Sequence, residues 1–306
     1  MFYIELHCGI VESVRALCIL VLSLFLVPPF RAADDRLQRS LNEAIGKRQG
    51  AALVLEVETG RILASYRMDV AARRVVPPGS TVKPFTLMAL MDAGLVTDKT
   101  ALICPRTTRI GDRKLDCSHA SDLGPIDPVM ALAYSCNHFF IRSSEHLPMD
   151  SLYRAFSRAG FNSPTGKWQS EIPGTVQHPG SKEAMQLMSI GEESVGVTPL
   201  ALAEAYRTLA HRLRSPLQVT AELRLVAEGL ESAVKVGTGQ LAASRELRVA
   251  GKTGTADGHA WFAGFAPSER PEIVVVVFLE RGRGGSDAAP IAGRIFAGYS
   301  ASKAAQ

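Results

Sequence analysis

No stretch of this sequence reaches the 20 or so apolar residues that a helix needs to cross a bilayer. The longest candidate, Ala16 to Val27, is broken only by Ser23 and falls short of a comfortable span. No segment is rich enough in Pro, Gln or Ser to argue for disorder, and no internal repeat is present. Neither sign of charge dominates: 34 Lys and Arg stand against 30 Asp and Glu, a net +4 spread along the chain. A nucleic-acid reader concentrates its basic residues on one face or stripe, so no nucleic-acid partner is expected, and the weak positive bias reads as solvated surface. His119, His138, His146, His178, His211 and His259 show no His-x-x-x-His spacing. No metal site and no cofactor are expected on that ground. A phosphate-binding loop is also missing: Gly251-Lys252-Thr253 looks like the end of one, but Glu246 stands where its first glycine belongs.

What is present is ordinary globular composition, 46% hydrophobic and 21% charged over 306 residues, enough for one large domain or two small ones. The apolar run has Arg15 in front, Pro28-Pro29 behind and Ala32-Ala33 near a cleavage point, which suits the core of a secretory signal. Residues 1–33 are therefore expected to be a signal peptide or short membrane anchor, with translation starting near Val11 or Val14, and residues 34–306 a single catalytic domain. Nothing amphipathic is read directly after the run. A leader would carry the protein out of the cytoplasm, to the periplasm or the outer face of the cytoplasmic membrane, where disulfides are permitted. Of the five cysteines, Cys8 and Cys18 would leave with it. Cys104 and Cys117 flank a turn at Gly111-Asp112 and are expected to bridge across a hairpin, the alternative being two free thiols. Cys136 reads as a small buried filler.

Ala51 to Val57 and Ile62 to Tyr66 read as a hairpin turning at Thr59-Gly60. After Pro77-Pro78-Gly79, apolar residues recur at helical spacing until Gly94. Residues 125–146 are mostly helical, with an interruption near Ser135-Cys136-Asn137. Leu152 to Ala159 and Leu200 to Leu213 follow as helices, the second introduced by Thr198-Pro199. Leu247 to Thr255, Ala260 to Phe265 and the valine run from Ile273 to Leu279 are strands, the last patterned for burial on both faces. A helix from Pro290 closes the chain. Trp261 and Phe262 read as sheet core.

Chemistry concentrates in three short motifs. Ser80-Thr81-Val82-Lys83 follows Pro-Pro-Gly and opens an apolar helix, where backbone N–H groups favour negative charge. Lys83 lies one turn on, beside apolar Val82 and Phe85, and burial favours a neutral amine. Such an amine can act as general base for a serine hydroxyl. Ser232-Ala233-Val234-Lys235 fits the same pattern but has no such helix behind it and is set aside. Ser135-Cys136-Asn137 offers a hydroxyl to pass a proton and an amide to hold a substrate. Lys252-Thr253-Gly254-Thr255 offers a cation, two hydroxyls and a glycine that admits a close backbone, on a strand edge where an extended peptide could pair.

In this order, Ser-x-x-Lys, Ser-x-Asn and Lys-Thr-Gly resemble the penicillin-binding protein transpeptidases and the serine β-lactamases. Pro78-Gly79 and Pro84 around the first motif, His138-Phe139-Phe140 after the second, Glu171-Ile172-Pro173-Gly174, Val197-Thr198-Pro199-Leu200 and Trp261-Phe262-Ala263-Gly264-Phe265-Ala266-Pro267 extend the likeness over about residues 50–300. The resemblance implies an α+β fold of the α/β/α sandwich type: a five-stranded antiparallel sheet of N- and C-terminal strands, flanked by helices, with a helical subdomain inserted between. It implies Ser80 as the acylated nucleophile, Lys83 as its base, Ser135 as proton relay and Asn137 as the group orienting Lys83 and substrate. Lys252, Thr253 and Thr255 would recognise a terminal carboxylate, and the N–H groups of Ser80 and Thr255 would form an oxyanion hole. The implied partners are D-Ala-D-Ala stem peptides of peptidoglycan, β-lactam antibiotics and other proteins of cell-wall synthesis.

Two departures stand out. A free-standing catalytic domain with a leader is expected, without a glycosyltransferase module or long N-terminal pedestal, and Gly191-Glu192-Glu193 stands where many relatives carry Gly-Gln-Gly. The main expectation is a D,D-transpeptidase. The alternatives are a D,D-carboxypeptidase, a β-lactamase, against which the absence of a Glu-x-x-x-Asn around Glu171 argues, and a non-catalytic β-lactam sensor.

Overall fold

The computed structural model describes residues 30–304, so the apolar run Ala16 to Val27 lies outside the described residues. The first element is α1 (Phe30–Ile45). It is amphipathic, contrary to expectation: Leu37, Leu41, Ala44 and Ile45 are buried at the spacing of one helical face. Strands β1 (Gly50–Glu56) and β2 (Ile62–Tyr66) form the expected hairpin, followed by α2 (Met68–Arg73). A 3-10 turn, Gly79–Val82, runs straight into α3 (Lys83–Asp92).

The middle of the chain is a helical insertion with three small ladders. It comprises β3 (Leu102–Ile103), β4 (Thr107–Ile110), β5 (Arg113–Asp116), β6 (Pro125–Ile126), α4 (Pro128–Ala133), α5 (Asn137–Ser143) and α6 (Ser151–Arg158). It continues through β7 (Thr175–Val176), α7 (Lys182–Ser189), β8 (Val195–Gly196), α8 (Pro199–Arg214) and α9 (Ala221–Lys235). The chain then returns to the main sheet with β9 (Ala250–Ala256), β10 (His259–Ala266) and β11 (Ile273–Leu279), and ends in α10 (Ala289–Ala304).

The main sheet has five strands in the order β2-β1-β11-β10-β9, antiparallel throughout. The N- and C-terminal strands thus build one sheet around the insertion, as the motifs implied. Because strand side chains alternate between faces, each strand feeds two cores. Leu53, Leu55, Trp261, Phe265, Val276 and Phe278 join the core shared with the insertion. Val54, Phe262, Val275 and Val277 join the opposite core, with Leu41 of α1 and Ile295 and Phe296 of α10. The valine run is fully buried along its length, because β11 is central in the sheet and covered on both sides.

Four helices escape the sequence reading: α1, α2, α7 and α9. In α9 the buried stripe of Leu223, Val226, Leu230, Ala233 and Val234 is interrupted by Gly229. A Cβ there would stand 2.8 Å from the Leu132 side chain, so the glycine lets α9 lie against α4. Ser232 and Lys235 fall in the last turn of this helix, at its carbonyl end, where negative charge is disfavoured. In α7, Ser181 caps the helix by accepting from the Ala184 N–H.

The expected Cys104–Cys117 bridge is corrected. The hairpin of β4 and β5 exists, with Gly111 at its turn at φ 53°. However, Cys117 donates its N–H to the carbonyl of Arg106, so Arg106, not Cys104, stands opposite it. Arg106 adopts φ 69°, which ends the hairpin pairing before Cys104, and the Cys104 and Cys117 sulfurs lie in one cluster without a bond between them. All three described cysteines carry free thiols.

Phe278 lies on the central strand at 0% exposure, 4.6 Å from the Trp261 ring. Phe278→Ala is expected to cost about 3–5 kcal/mol. Urea unfolding followed by circular dichroism reads this as a lower midpoint with an unchanged slope.

Candidate active site

The sheet leaves β9 as an edge strand, and the 3-10 turn carrying Ser80 packs beside it. The approach is close because both segments carry glycine where they touch. A Cβ on Gly254 would lie 2.6 Å from the Pro78 carbonyl oxygen, and one on Gly79, at φ +53°, would lie 2.9 Å from that of Thr255. The turn is held by its neighbours. The Gly79 N–H donates to Gly191 O at 3.0 Å, the Trp261 indole to Pro77 O at 3.1 Å, and the Tyr206 hydroxyl to Thr81 O at 2.8 Å. Trp261 thus has a polar contact in addition to its core packing.

An open cleft of about 460 Å³ lies along this edge, lined by Ser80, Ser135, Asn137, Thr253, Gly254 and Thr255 among others. Lys83 and Lys252 are both completely buried beside it. Lys83 Nζ donates to Asn137 Oδ1 at 2.6 Å, Ser135 O at 2.9 Å and Ser135 Oγ at 3.2 Å, and sits 5.2 Å from the Phe140 ring centroid. Burial lowers the Lys83 pKa to about 8, while the negative charge available to Cys117, Cys136 and Glu192 pulls the other way. A neutral fraction at physiological pH is what a lysine base requires.

Sequence reasoning grouped Lys252, Thr253 and Thr255 as one carboxylate-binding set. The structure divides them. Thr253 and Thr255 line the cleft, whereas Lys252 lies behind it and donates to its neighbour's carbonyl, Thr253 O, at 3.2 Å. Burial, and secondarily the Lys83 charge, hold its pKa well below the usual lysine value. The Thr253 hydroxyl donates to Thr238 Oγ1 at 2.7 Å, and Thr255 Oγ1 accepts from the Gly284 N–H at 3.0 Å.

Sequence reasoning missed Thr238, Arg283 and Ser286, which also line the cleft. Arg283 sits in a Gly-rich segment, Arg281-Gly282-Arg283-Gly284-Gly285, just after the valine strand; two cations among glycines at a strand end are the signal that could have found it. Glu192 and Glu193 face Arg113 at 3.7 and 3.9 Å. Desolvation raises the Glu192 pKa, with Arg113 opposing.

Behind the second motif, among the described residues, Cys104, Cys117, His119 and Cys136 bring one ligand atom each to within 4.8 Å of one another. The absence of paired histidines therefore did not settle the question of metal. The hydrogen bond from Cys136 is the main influence pushing the Cys117 thiol down, with burial opposing it and the His138 N–H and the Lys83 charge assisting.

Comparison with known proteins points the same way as the motifs. The family described as penicillin binding protein transpeptidase domain matches residues 50–297. Peptidoglycan D,D-transpeptidase FtsI of Escherichia coli is 28% identical over 326 residues, covering 87% of this chain and 54% of its own length. Peptidoglycan D,D-transpeptidase MrdA of Acinetobacter baumannii is 25% identical, with 87% of this chain and 53% of the relative covered. The chain thus spans about half the length of these curated relatives. Among solved structures, penicillin-binding protein A from M. tuberculosis as a ceftriaxone acyl-enzyme aligns with TM-score 0.74 at 25% identity, covering 86% of this chain and 78% of that one. Pseudomonas aeruginosa PBP2 in complex with WCK 5153 aligns with TM-score 0.76 at 25% identity, covering 85% and 76%.

With Lys83 at about 8, the neutral base is depleted as pH falls. Acylation of Ser80 is expected to slow by about tenfold per pH unit below 7 and to level off above 9. Stopped-flow acylation across pH 5.5–9.5 checks this, and a flat profile would remove Lys83 as the base.

Proposed function

The chain belongs to the penicillin-binding protein transpeptidase family, and from that premise we propose that it is a serine D,D-transpeptidase acting on D-Ala-D-Ala stem peptides of peptidoglycan. The observation that carries this reading is Lys83: a fully buried amine one helical turn from Ser80 and held by Ser135 and Asn137.

In the proposed cycle the neutral Lys83 amine takes the Ser80 proton as Oγ attacks the penultimate D-Ala carbonyl. The N–H groups of Ser80 and Thr255 stabilise the oxyanion, a contribution of about 3 kcal/mol for one such donor. Ser135, hydrogen-bonded to Lys83, passes the proton to the departing D-Ala amine. Asn137 fixes Lys83 through its carbonyl and is free to orient the substrate amide. An acceptor amine on a second stem peptide then attacks the Ser80 ester, forms the new amide and returns the proton through the same groups. A β-lactam enters by the same attack and remains as the ester.

The substrate's terminal carboxylate is received by the Thr255 hydroxyl, by the Thr253–Thr238 hydroxyl pair, in which Thr238 keeps a hydrogen to donate, and by Arg283, whose exposed guanidinium lines the same cleft. Lys252 stands behind these groups, and the arriving carboxylate favours its charged form. Because peptidoglycan lies outside the cytoplasmic membrane, the chain works there, delivered or anchored by residues 1–33, with residues 34–306 as the catalytic domain. Partners in cell-wall synthesis belong to the same proposal.

The β-lactamase alternative needs a carboxylate placed to activate water. Glu171 accepts from the Thr165 hydroxyl at 2.7 Å and from the Gly166 N–H, so it staples its own loop, and it does not line the cleft. Asp116, the carboxylate that does line it, accepts from the Thr107 hydroxyl at 2.6 Å and pairs with Lys114 at 3.6 Å. Both carboxylates are thus held by their own loops, which supports slow release of the acyl group.

Labelled penicillin with peptide mapping tests the assignment. One adduct on the Ser80 peptide, absent in Ser80→Ala, is expected. Label on Ser232, or rapid multiple turnover of nitrocefin, would overturn it. Arg283→Ala is expected to remove a charge-assisted contact of about 1.5–3 kcal/mol. Acylation per unit concentration would then fall roughly ten- to a hundredfold, with the loss in KM or Kd rather than in the first-order step.

A further inference from the structure

Cys104, Cys117, His119 and Cys136 come from separate parts of the insertion. Cys104 follows β3, Cys117 and His119 follow β5, and Cys136 is the residue before α5. Their four ligand atoms nevertheless lie within 4.8 Å of one another, and the sulfurs of Cys117 and Cys136 are 3.9 Å apart. A tetrahedral zinc site with Zn–S bonds of about 2.3 Å has S···S edges of about 3.8 Å. A disulfide would need about 2.05 Å.

His119 supplies the second, independent observation. It is 8% exposed, and its Nδ1 lies 2.8 Å from the Ala120 carbonyl oxygen. A carbonyl only accepts, so Nδ1 carries the hydrogen, and the neutral ring then holds its lone pair on Nε2. That Nε2 is buried and has no hydrogen-bond partner, an uncompensated cost for a polar atom away from water. A histidine that donates one ring nitrogen to a carbonyl while presenting the other is the arrangement metal ligands adopt.

The three thiols cannot all pair as disulfides, and all are free. A set of soft sulfurs with one imidazole favours zinc over the harder divalent ions. We propose that Cys104, Cys117, His119 and Cys136 bind one Zn2+ as a closed, tetrahedral structural site. The site ties the β4–β5 hairpin and β3 to the second motif, because Cys136 is the residue between Ser135 and Asn137. It leaves no open coordination position for substrate, and its role is to position the motif.

The full chain, purified with reductant and stripped by a chelator, would be titrated with Zn2+ alone and passed over a desalting column. One equivalent of zinc per chain by mass spectrometry is expected. In parallel, Co2+ substitution is expected to give thiolate-to-cobalt charge-transfer bands and the intense visible absorption of a tetrahedral ion. His119→Ala should weaken zinc retention by at least about tenfold. If that variant fails to fold, the wild-type chain answers alone: zinc should protect Cys104, Cys117 and Cys136 together from alkylation, and chelator should restore their labelling. Retention of less than a tenth of an equivalent, an octahedral cobalt spectrum, or labelling unchanged by zinc would overturn the proposal. None of these readouts depends on Ser80, so their failure is separable from failure of the catalytic reading.

Discussion

An ammonium group taken out of water must find oxygen acceptors or give up its proton. Lys83 does some of each. It is fully buried, its three acceptors all belong to Ser135 and Asn137, and its pKa falls to about 8. None of those acceptors is a carboxylate. The second motif must therefore present a backbone carbonyl, a hydroxyl and an amide oxygen to one point. To do so Ser135 adopts φ 55°, a left-handed conformation that costs a non-glycine residue about 1 kcal/mol or more. Lys252 adds a second buried amine whose pKa is lowered by Lys83 as well as by burial. Both amines are held back from charging by burial, so a carboxylate arriving beside Lys252 would supply a counter-charge that favours its protonated form. The site is prepared electrostatically before any ligand arrives.

Preparation of this kind needs a rigid frame, and the sheet provides it. β9 is rigid on one side because it is paired with β10 from Ala250 to Ala256, and available on the other because it is an edge. Edge strands invite pairing with other chains. Here the 3-10 turn bearing Ser80 packs against β9 so closely that Gly254 and Gly79 have no room for a Cβ. An extended peptide laid on the edge would meet Ser80, the proposed nucleophile, without any large movement of the protein.

The sheet was legible because its strands sit at the two ends of the domain with plain patterns: a valine run and a hairpin with its turn. The first motif was legible because Pro78-Gly79 announces a turn and the residues after it announce a helix. What escaped did so for definable reasons. The stripe of α1 is built partly from alanine, and α9 carries a glycine that serves packing on Leu132 rather than helix propensity. Arg283 reaches the cleft only because the segment after β11 passes β10 to meet β9, where the Gly284 N–H donates to Thr255 Oγ1. The misplaced disulfide arose from reading hairpin symmetry past Arg106, where a positive φ breaks it. The separate locations of Lys252 and Thr253 follow from strand alternation, which turns adjacent residues of a motif to opposite faces.

The second motif connects the catalytic cleft to the sulfur-rich cluster behind it. Ser135, in its left-handed conformation, and Asn137, at the start of α5, line the cleft, while Cys136 between them is fully buried and belongs to the cluster. It is also the N-cap of α5, yet makes no side-chain capping hydrogen bond. Ser, Asp or Asn at that position would stabilise the helix by about 1 kcal/mol. A cysteine forgoes that contribution, and its sulfur is instead placed 3.9 Å from that of Cys117. Cys117 in turn is tied to the hairpin through Arg106, whose carbonyl accepts its N–H at 2.7 Å and whose guanidinium donates to its carbonyl at 3.1 Å. The carbonyl oxygen of Asp116, the residue before Cys117, accepts from Asn137 Nδ2 at 3.3 Å. Any force that fixes the sulfur cluster therefore reaches Asn137 by two routes, through Cys136 along the backbone and through Asp116 across the cleft. Because Asn137 is the shortest contact of the Lys83 amine, the position of this amine, the proposed general base, depends on how firmly the hairpin is fastened behind it.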